Sequence, residues 1–313
     1  MKNVPAPAIT RPLMGISFKL ISVIFFIMMA SLIKAAGDVP VGQVVFFRSF
    51  FATLPVVLFL AYSRELRYAL HTERPLNHVA RGLVGVGGMM LNFYALLRLP
   101  LPEAVTLGYA QPILVVVFSA VFLGETIRVF RWSAVALGLV GVVIISWPNL
   151  TVFGSGAMTN NEALGTMAAL SGALMSAGAA LLIRRLVHTE RSSTIVLWFS
   201  LTSSAVGLMT LPFGWSSLSP SQLFCLVMSG VAGGIGQILM TEAYRYAEAS
   251  TVAPFEYTSM IFAIIVGYTL FGDVPTVHML VGGMIVISAG IFIVWREQRL
   301  GLERRAAKKA STP

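Results

Sequence analysis

Ten apolar stretches, each close to the length of a bilayer crossing, restrict what this sequence can fold into. They lie near residues 13–33, 43–62, 79–98, 102–123, 131–148, 163–184, 194–213, 221–244, 250–271 and 276–295. A helix covers the hydrocarbon layer with about 20 mostly apolar residues. Proline, glycine and charge punctuate the breaks, as in Arg98-Leu99-Pro100-Leu101-Pro102 and Gly272-Asp273-Val274-Pro275. Only 11% of the 313 residues are charged, against 57% hydrophobic. A soluble domain is about a quarter charged, so this chain lacks the charge to cover a water-facing surface. The fold class expected is therefore an all-α integral membrane protein with ten transmembrane helices.

Several readings fall away on residue grounds. Cys225 is the one cysteine, in an apolar run where it serves as a small packing residue, so no disulfide framework exists. His71, His78, His188 and His278 are scattered and none has Glu-x-x-His spacing, which leaves an integral membrane enzyme without a metal set. No Gly-x-x-x-x-Gly-Lys-[Ser/Thr] loop is present for a nucleotide. A channel reading lacks a Thr-Val-Gly-Tyr-Gly filter. No cofactor is expected. The N-terminal Lys2 and Arg11 before an apolar run resemble a signal peptide, yet the run is long and Lys34 precedes Ala35-Ala36, so a retained first span is expected.

The formal charge of +9 is distributed as a topology signal. With the N-terminus inside, all but four of the 22 basic residues fall on the inner segments. The exceptions are Lys34 and Arg98 outside, and Lys19 and Arg48 within spans, with Lys19 read as snorkelling at the inner face. Basic residues favour the cytoplasmic side, so both termini are expected there, in the cell's inner membrane. Splitting them among six short segments also removes the nucleic-acid reading. The lipid bilayer and a small-molecule substrate are the partners expected; the oligomeric state stays open.

A weak internal repeat runs at an offset of 148 residues. Phe122-Leu123-Gly124-Glu125 matches Leu270-Phe271-Gly272-Asp273, and Gly85, Gly88, Leu91, Ala95 and Tyr109 meet Gly233, Gly236, Leu239, Ala243 and Tyr257. Each half holds five spans, an odd number, so the second half enters the membrane from the opposite side. Inverted repeats give a carrier two near-equal packings around a midplane site. The division expected is 13–148, 163–296 and a basic cytoplasmic tail, 297–313.

The stretch Arg81 to Trp147, with Pro112 inside the fourth span and Gly-Glu at its end, resembles the EamA-type drug/metabolite transporter superfamily. Arg48 early in the second span and the two similar halves agree with it. That resemblance implies carriage of small organic metabolites by alternating access, coupled to a gradient or by exchange. Overall likeness around Phe46-Phe47-Arg48-Ser49 and Glu103-Ala104-Val105 is greatest to RibN-type riboflavin transporters, with S-adenosylmethionine uptake carriers next. Riboflavin uptake is the first expectation; an S-adenosylmethionine, amino-acid or other metabolite carrier, for uptake or export, is the alternative, and a channel, receptor or integral membrane enzyme is a remote one.

Ionisable groups inside apolar spans are costly and are functional candidates by default. Glu256, about two turns into the ninth span, is the foremost, as proton carrier, cation partner or hydrogen-bond acceptor; a buried structural pairing is the alternative. Arg48 suits an anionic group, or pairing with Asp38, Glu103 or helix-end carbonyls. Glu103 and Glu242 sit near span ends, where solvated roles compete with site roles. Tyr109 and Gln111 adjoin Pro112, whose missing N–H opens the helical ladder. Tyr257 is the repeat mate of Tyr109, and Asn92 and Gln237 carry amides into the third and eighth spans. Together these residues suggest a pocket for a planar, largely neutral metabolite. Gly82, Gly85 and Gly88, and the pair Gly230 and Gly234, predict close helix approach.

Overall fold

A computed structural model describes residues 12–62, 64, 66, 69–72, 75–123, 129–151, 161–186, 190, 192–246 and 253–310. Every regular element among them is helical: α1 (Pro12–Ala35), α2 (Val41–Tyr62), α3 (Pro75–Arg98), α4 (Leu101–Gly108), α5 (Ala110–Leu123), α6 (Val129–Thr151), α7 (Asn161–Leu186), α8 (Ser192–Met209), α9 (Pro220–Tyr246), α10 (Thr258–Val266) and α11 (Val277–Ala310). Segments α4 and α5 together fill the fourth apolar stretch, so they correspond to ten spans. Proline opens α1, α3 and α9, where a missing N–H costs nothing. Gly37 and Gly272 adopt left-handed φ of 69° and 68° just beyond α1 and the α10 segment, ending both. Five helices, α1, α2, α3, α7 and α9, are single stretches long and apolar enough to cross a membrane; the others are shorter apolar runs.

Polar and apolar residues are arranged as a lipid environment demands. Lys19, Gln43, Arg48, Ser49, Thr106, Thr166 and Ser203 are buried, while Ile21, Leu54, Leu58, Leu83, Val140 and Ile265 face outward. In lipid, helix association comes from close packing and interhelical hydrogen bonds rather than from apolar burial.

The packing shows directly that the second half is inverted. Helices α6 and α11 close the two halves and cross each other: Gly138 faces Ala289, Gly141 faces Val286, and Gly282 faces Ile145. As one number rises the other falls, so the two mates run antiparallel. Helices α2 and α8 do the same, with Gly42 against Thr210 and Gly207 against Phe46. The exchange between halves is reciprocal: α1 packs on α9 as α7 packs on α3. Two five-span units of one fold pointing opposite ways produce this pattern.

The fourth span of each half is broken in the same register. Helix α4 ends at Gly108, Tyr109 bonds back to Thr106 (3.1 Å), and α5 starts at Ala110. Pro112 lies four residues beyond Gly108 and has no N–H for that carbonyl, which accounts for the break. In the second half a 3₁₀ turn, Ala253–Tyr257, precedes α10, and a π turn, Gly267–Phe271, follows it. Sequence reading placed Glu256 two turns into a continuous ninth helix. It sits instead in the 3₁₀ turn, so the span is not one α-helix. Glu125, the repeat mate of Asp273, lies outside the described residues.

At the end of the bundle where α1 finishes, one carboxylate ties three elements. Asp273 Oδ2 accepts the Leu101 N–H (2.8 Å) at the start of α4 and lies 3.4 Å from Lys34 Nζ. Lys34 also donates to the Leu99 carbonyl (2.7 Å). Gly272 makes this possible, since its left-handed turn lets the Asp273 N–H reach the Gly267 carbonyl (3.0 Å) and aims the side chain at α4. We expect Asp273→Ala to lose about 1–2 kcal/mol from the bonds to one charged group. Asp273→Asn, which keeps an acceptor, should lose less. Thermal melts of the two variants in detergent provide the check, and equal melting would count against this tie.

Candidate functional site

Because Tyr109 and Tyr257 are repeat mates, contact between them places the pseudo-twofold axis of the bundle. Their rings meet edge to face, 5.2 Å between centroids at 72°. The Tyr109 hydroxyl shares a hydrogen bond with Ser259 Oγ (2.6 Å). The tyrosines belong to an apolar cluster that includes Leu107, Ile113, Met260 and Met279. Tyr257 reaches its place because Gly290 of α11 offers no side chain: its hydroxyl lies where a Cβ would stand. We expect Gly290→Ala to push the Tyr257 ring out of this position and to lower transport several-fold with little loss of folded protein. Transport in vesicles, set against the amount of protein in the membrane, measures both.

Glu256, next in chain to Tyr257, pairs with Lys19 of α1. The Lys19 side chain is fully buried and that of Glu256 is 43% exposed. Snorkelling is therefore the wrong reading of Lys19: its ammonium turns into the bundle because a carboxylate from the opposite half meets it there. The pair links α1 to the broken ninth span at the level of the tyrosines.

A second region lies between α2, α8 and α9. Arg48, Ala52 and Val56 of α2, Val196, Phe199 and Ser200 of α8, and Gly233, Gly234 and Gln237 of α9 line a narrow cleft with room for about one water molecule. Glycines at 233 and 234 hold α9 close: Gly234 sits against the Ala52 carbonyl and Pro55, and Gly233 against Met29 of α1. Arg48 is buried on this wall.

The remaining candidates divide. Gln237 lines the cleft with Arg48. Asn92 faces away from it, donating to Ser176 Oγ (3.3 Å) with its side chain against Gly172, a polar contact that cements α3 to α7. Gln111 is half-buried in the first turn of α5, just past the break. Glu103 lies in the first turn of α4 and Glu242 near the end of α9, both half-buried. Trp198 stacks on His78 (5.6 Å) and donates to the Leu70 carbonyl (3.4 Å).

Two residues escaped the sequence reading. Lys19 was taken as an interface residue, and Arg81 as a cytoplasmic topology charge. Arg81 is buried six residues into α3, its guanidinium 3.8 Å over the Phe199 ring. Its signal in the sequence was an arginine inside the helical run that begins at Pro75, where a basic residue is costly.

Ten helical spans, two halves related by inversion, broken fourth helices meeting at the axis and ionisable groups held inside define a secondary carrier. The chain belongs to the EamA-like transporter family, whose model matches residues 13–147 and 163–296. It is a multi-pass membrane protein that transports small metabolites, and not an enzyme. An S-adenosylmethionine uptake transporter of Rickettsia bellii (strain RML369-C) is 27% identical, over 82% of this chain and 84% of its own. A pseudopaline exporter of Pseudomonas aeruginosa (strain UCBPP-PA14) is 29% identical over 87% and 92%. A riboflavin transporter of Rhizobium johnstonii is 26% identical over 93% and 92%. A solved crystal structure, 18% identical, superposes with a TM-score of 0.63 over 91% of this chain and 98% of the other, and bears on the fold alone.

Proposed function

We propose that this chain takes up a small heteroaromatic metabolite by alternating access, with both termini in the cytoplasm. The observation that carries this reading is the contact between Tyr109 and Tyr257, the mated break points of the two halves. Rocking one half against the other pivots about such an axis, and substrate sites of inverted-repeat carriers lie beside it. The Lys19–Glu256 pair, also at the axis, is the group positioned to respond to a proton or a cation. Gln237, Ser200 and Phe199 in the neighbouring cleft offer hydrogen bonds and an aromatic face. The orientation rests on the basic residues of the sequence.

Riboflavin, a planar and neutral molecule, suits the aromatic and amide groups and is the first candidate. S-adenosylmethionine is the second reading, favoured by Arg48 on the cleft wall, because it joins a heteroaromatic base to a carboxylate. The S-adenosylmethionine uptake transporter and the riboflavin transporter among the relatives carry molecules of this class. The test is expression in a riboflavin-auxotrophic cell without its own uptake route. Growth at low vitamin and entry of labelled riboflavin are measured beside entry of labelled S-adenosylmethionine. Gain over empty vector for one compound selects it; no gain for either would sink uptake of this class.

A further inference from the structure

We infer that Arg48 and Arg81 together form a receptor for one anionic group, most simply a carboxylate, on the transported molecule. This rests on the carrier reading above and deepens it, because it assigns charge to the substrate. Arg48 of α2 and Arg81 of α3 are only 7% and 8% exposed. Both lie at Phe199: Arg48 shares the cleft wall with that ring, and Arg81 stacks on it. No carboxylate pairs with either among the described residues, whose ion pairs are Lys19–Glu256, Lys34–Asp273 and His78–Glu190. Buried Nε of Arg48, and Nε and Nη1 of Arg81, have no hydrogen-bond partner.

Two buried like charges with unused donors form an arrangement that folding alone disfavours. Structural arginines in a membrane bundle are matched by a carboxylate or by backbone carbonyls, and these are not. A guanidinium presents its donors as a planar fork that fits the two oxygens of a carboxylate, or those of a phosphate. The stack on Phe199 holds the Arg81 fork in orientation, as aromatic faces do for cations. Gln237 and Ser200 on the same wall are left for the uncharged part of the molecule. A neutral flavin leaves the charges unmatched, whereas a metabolite with one carboxylate offsets one of the two as it enters.

The experiment uses the full chain in lipid nanodiscs and two matched probe pairs. S-adenosylmethionine is compared with its decarboxylated analogue, and flavin mononucleotide with riboflavin. Within a pair the member that carries the extra carboxylate or phosphate should bind about tenfold tighter or more, the scale of a charge-assisted hydrogen bond. Preference in the first pair assigns a carboxylate, and preference in the second a phosphate. In Arg81→Gln the preference should vanish while the member without that group binds as before; Arg81→Lys should keep part of it. Without ligand, Arg81→Gln should melt above the natural protein, because it removes a buried charge whose donors have no partner.

Equal affinity within both pairs overturns the receptor. So does an Arg81→Gln variant that melts lower and weakens both members of each pair alike, since that describes a stacking strut. If none of the four probes binds, the ligand-free melts decide alone. Uptake into proteoliposomes keeps the two proposals apart: transport without anion preference defeats only the receptor, and anion binding without transport defeats only the carrier reading.

Discussion

Replacing Glu256 with Gln is expected to abolish transport and to destabilise the bundle by about 2–3 kcal/mol. Breaking a fully buried ion pair costs about 3–5 kcal/mol, and the figure here is smaller because the carboxylate is 43% exposed. The lysine has no such relief, being fully buried. Its ammonium would face a neutral amide in place of the carboxylate that balances it. A second substitution separates stability from function. Lys19→Met with Glu256→Gln should recover most of the lost stability, since two neutral groups need no compensation, yet transport should stay absent. Thermal melts and vesicle uptake on the same preparations give both quantities. Any uptake that survives Glu256→Gln should be independent of pH if this carboxyl carries the proton. Retained pH dependence would clear it of that role, and recovered transport in the double variant would remove the pair from the mechanism altogether.

The second large effect is expected at Gly234. A Cβ there would stand 2.7 Å from the Ala52 carbonyl and 3.1 Å from the Ala52 Cα, both backbone atoms that cannot swing aside. Pro55, just inside the same stretch of α2, is also in the way. Gly234→Leu therefore forces α9 off α2. Overpacking of this kind costs about 1–3 kcal/mol or more where the neighbour is rigid. The displacement would open the cleft wall that carries Arg48 and Gln237. Transport should fall to background, and folded yield should drop. Gly178 is the control, because the atom a Cβ would meet there is 3.7 Å away on the Val84 side chain. Gly178→Ala should keep both yield and transport. Intact transport in Gly234→Leu would show that close approach of α9 to α2 is dispensable.

Inversion of the two halves was legible before any coordinates. Five apolar stretches in each half and a constant offset joining Tyr109 to Tyr257 require it, and the antiparallel crossing of α6 and α11 is its direct expression. Interruption of the fourth span was half legible. Pro112 signalled a defect, but its position at Gly108 and Tyr109 follows from which carbonyl the proline leaves unpaired. Continuity of the ninth span was misread, because periodicity over 250–271 does not distinguish an α-helix from a 3₁₀ turn, a short helix and a π turn in series.

The candidate site divides on whether partners are near in sequence or only in space. Gln237 and Arg48 were picked as polar groups in apolar runs, and the cleft brings them together although 189 positions separate them. Asn92 satisfied the same rule yet binds a serine of α7, since an amide in lipid is equally at home holding two helices together. Lys19 and Arg81 were assigned to the membrane surface because basic side chains near helix ends usually reach water. Only the packing of α1 against the Glu256 turn, and of α3 against Phe199, shows that both turn inward.

The ten apolar stretches thus decided the architecture by themselves. Length, hydropathy and an odd repeat are properties each segment carries alone, and a bilayer admits few other ways to satisfy ten such segments. Which charges meet inside the bundle was decided by tertiary structure, because a charge-to-charge contact depends on the helix that happens to face it. For the stretches themselves, the structure adds that two of the ten are broken helices, and that their break points touch at the axis between the halves.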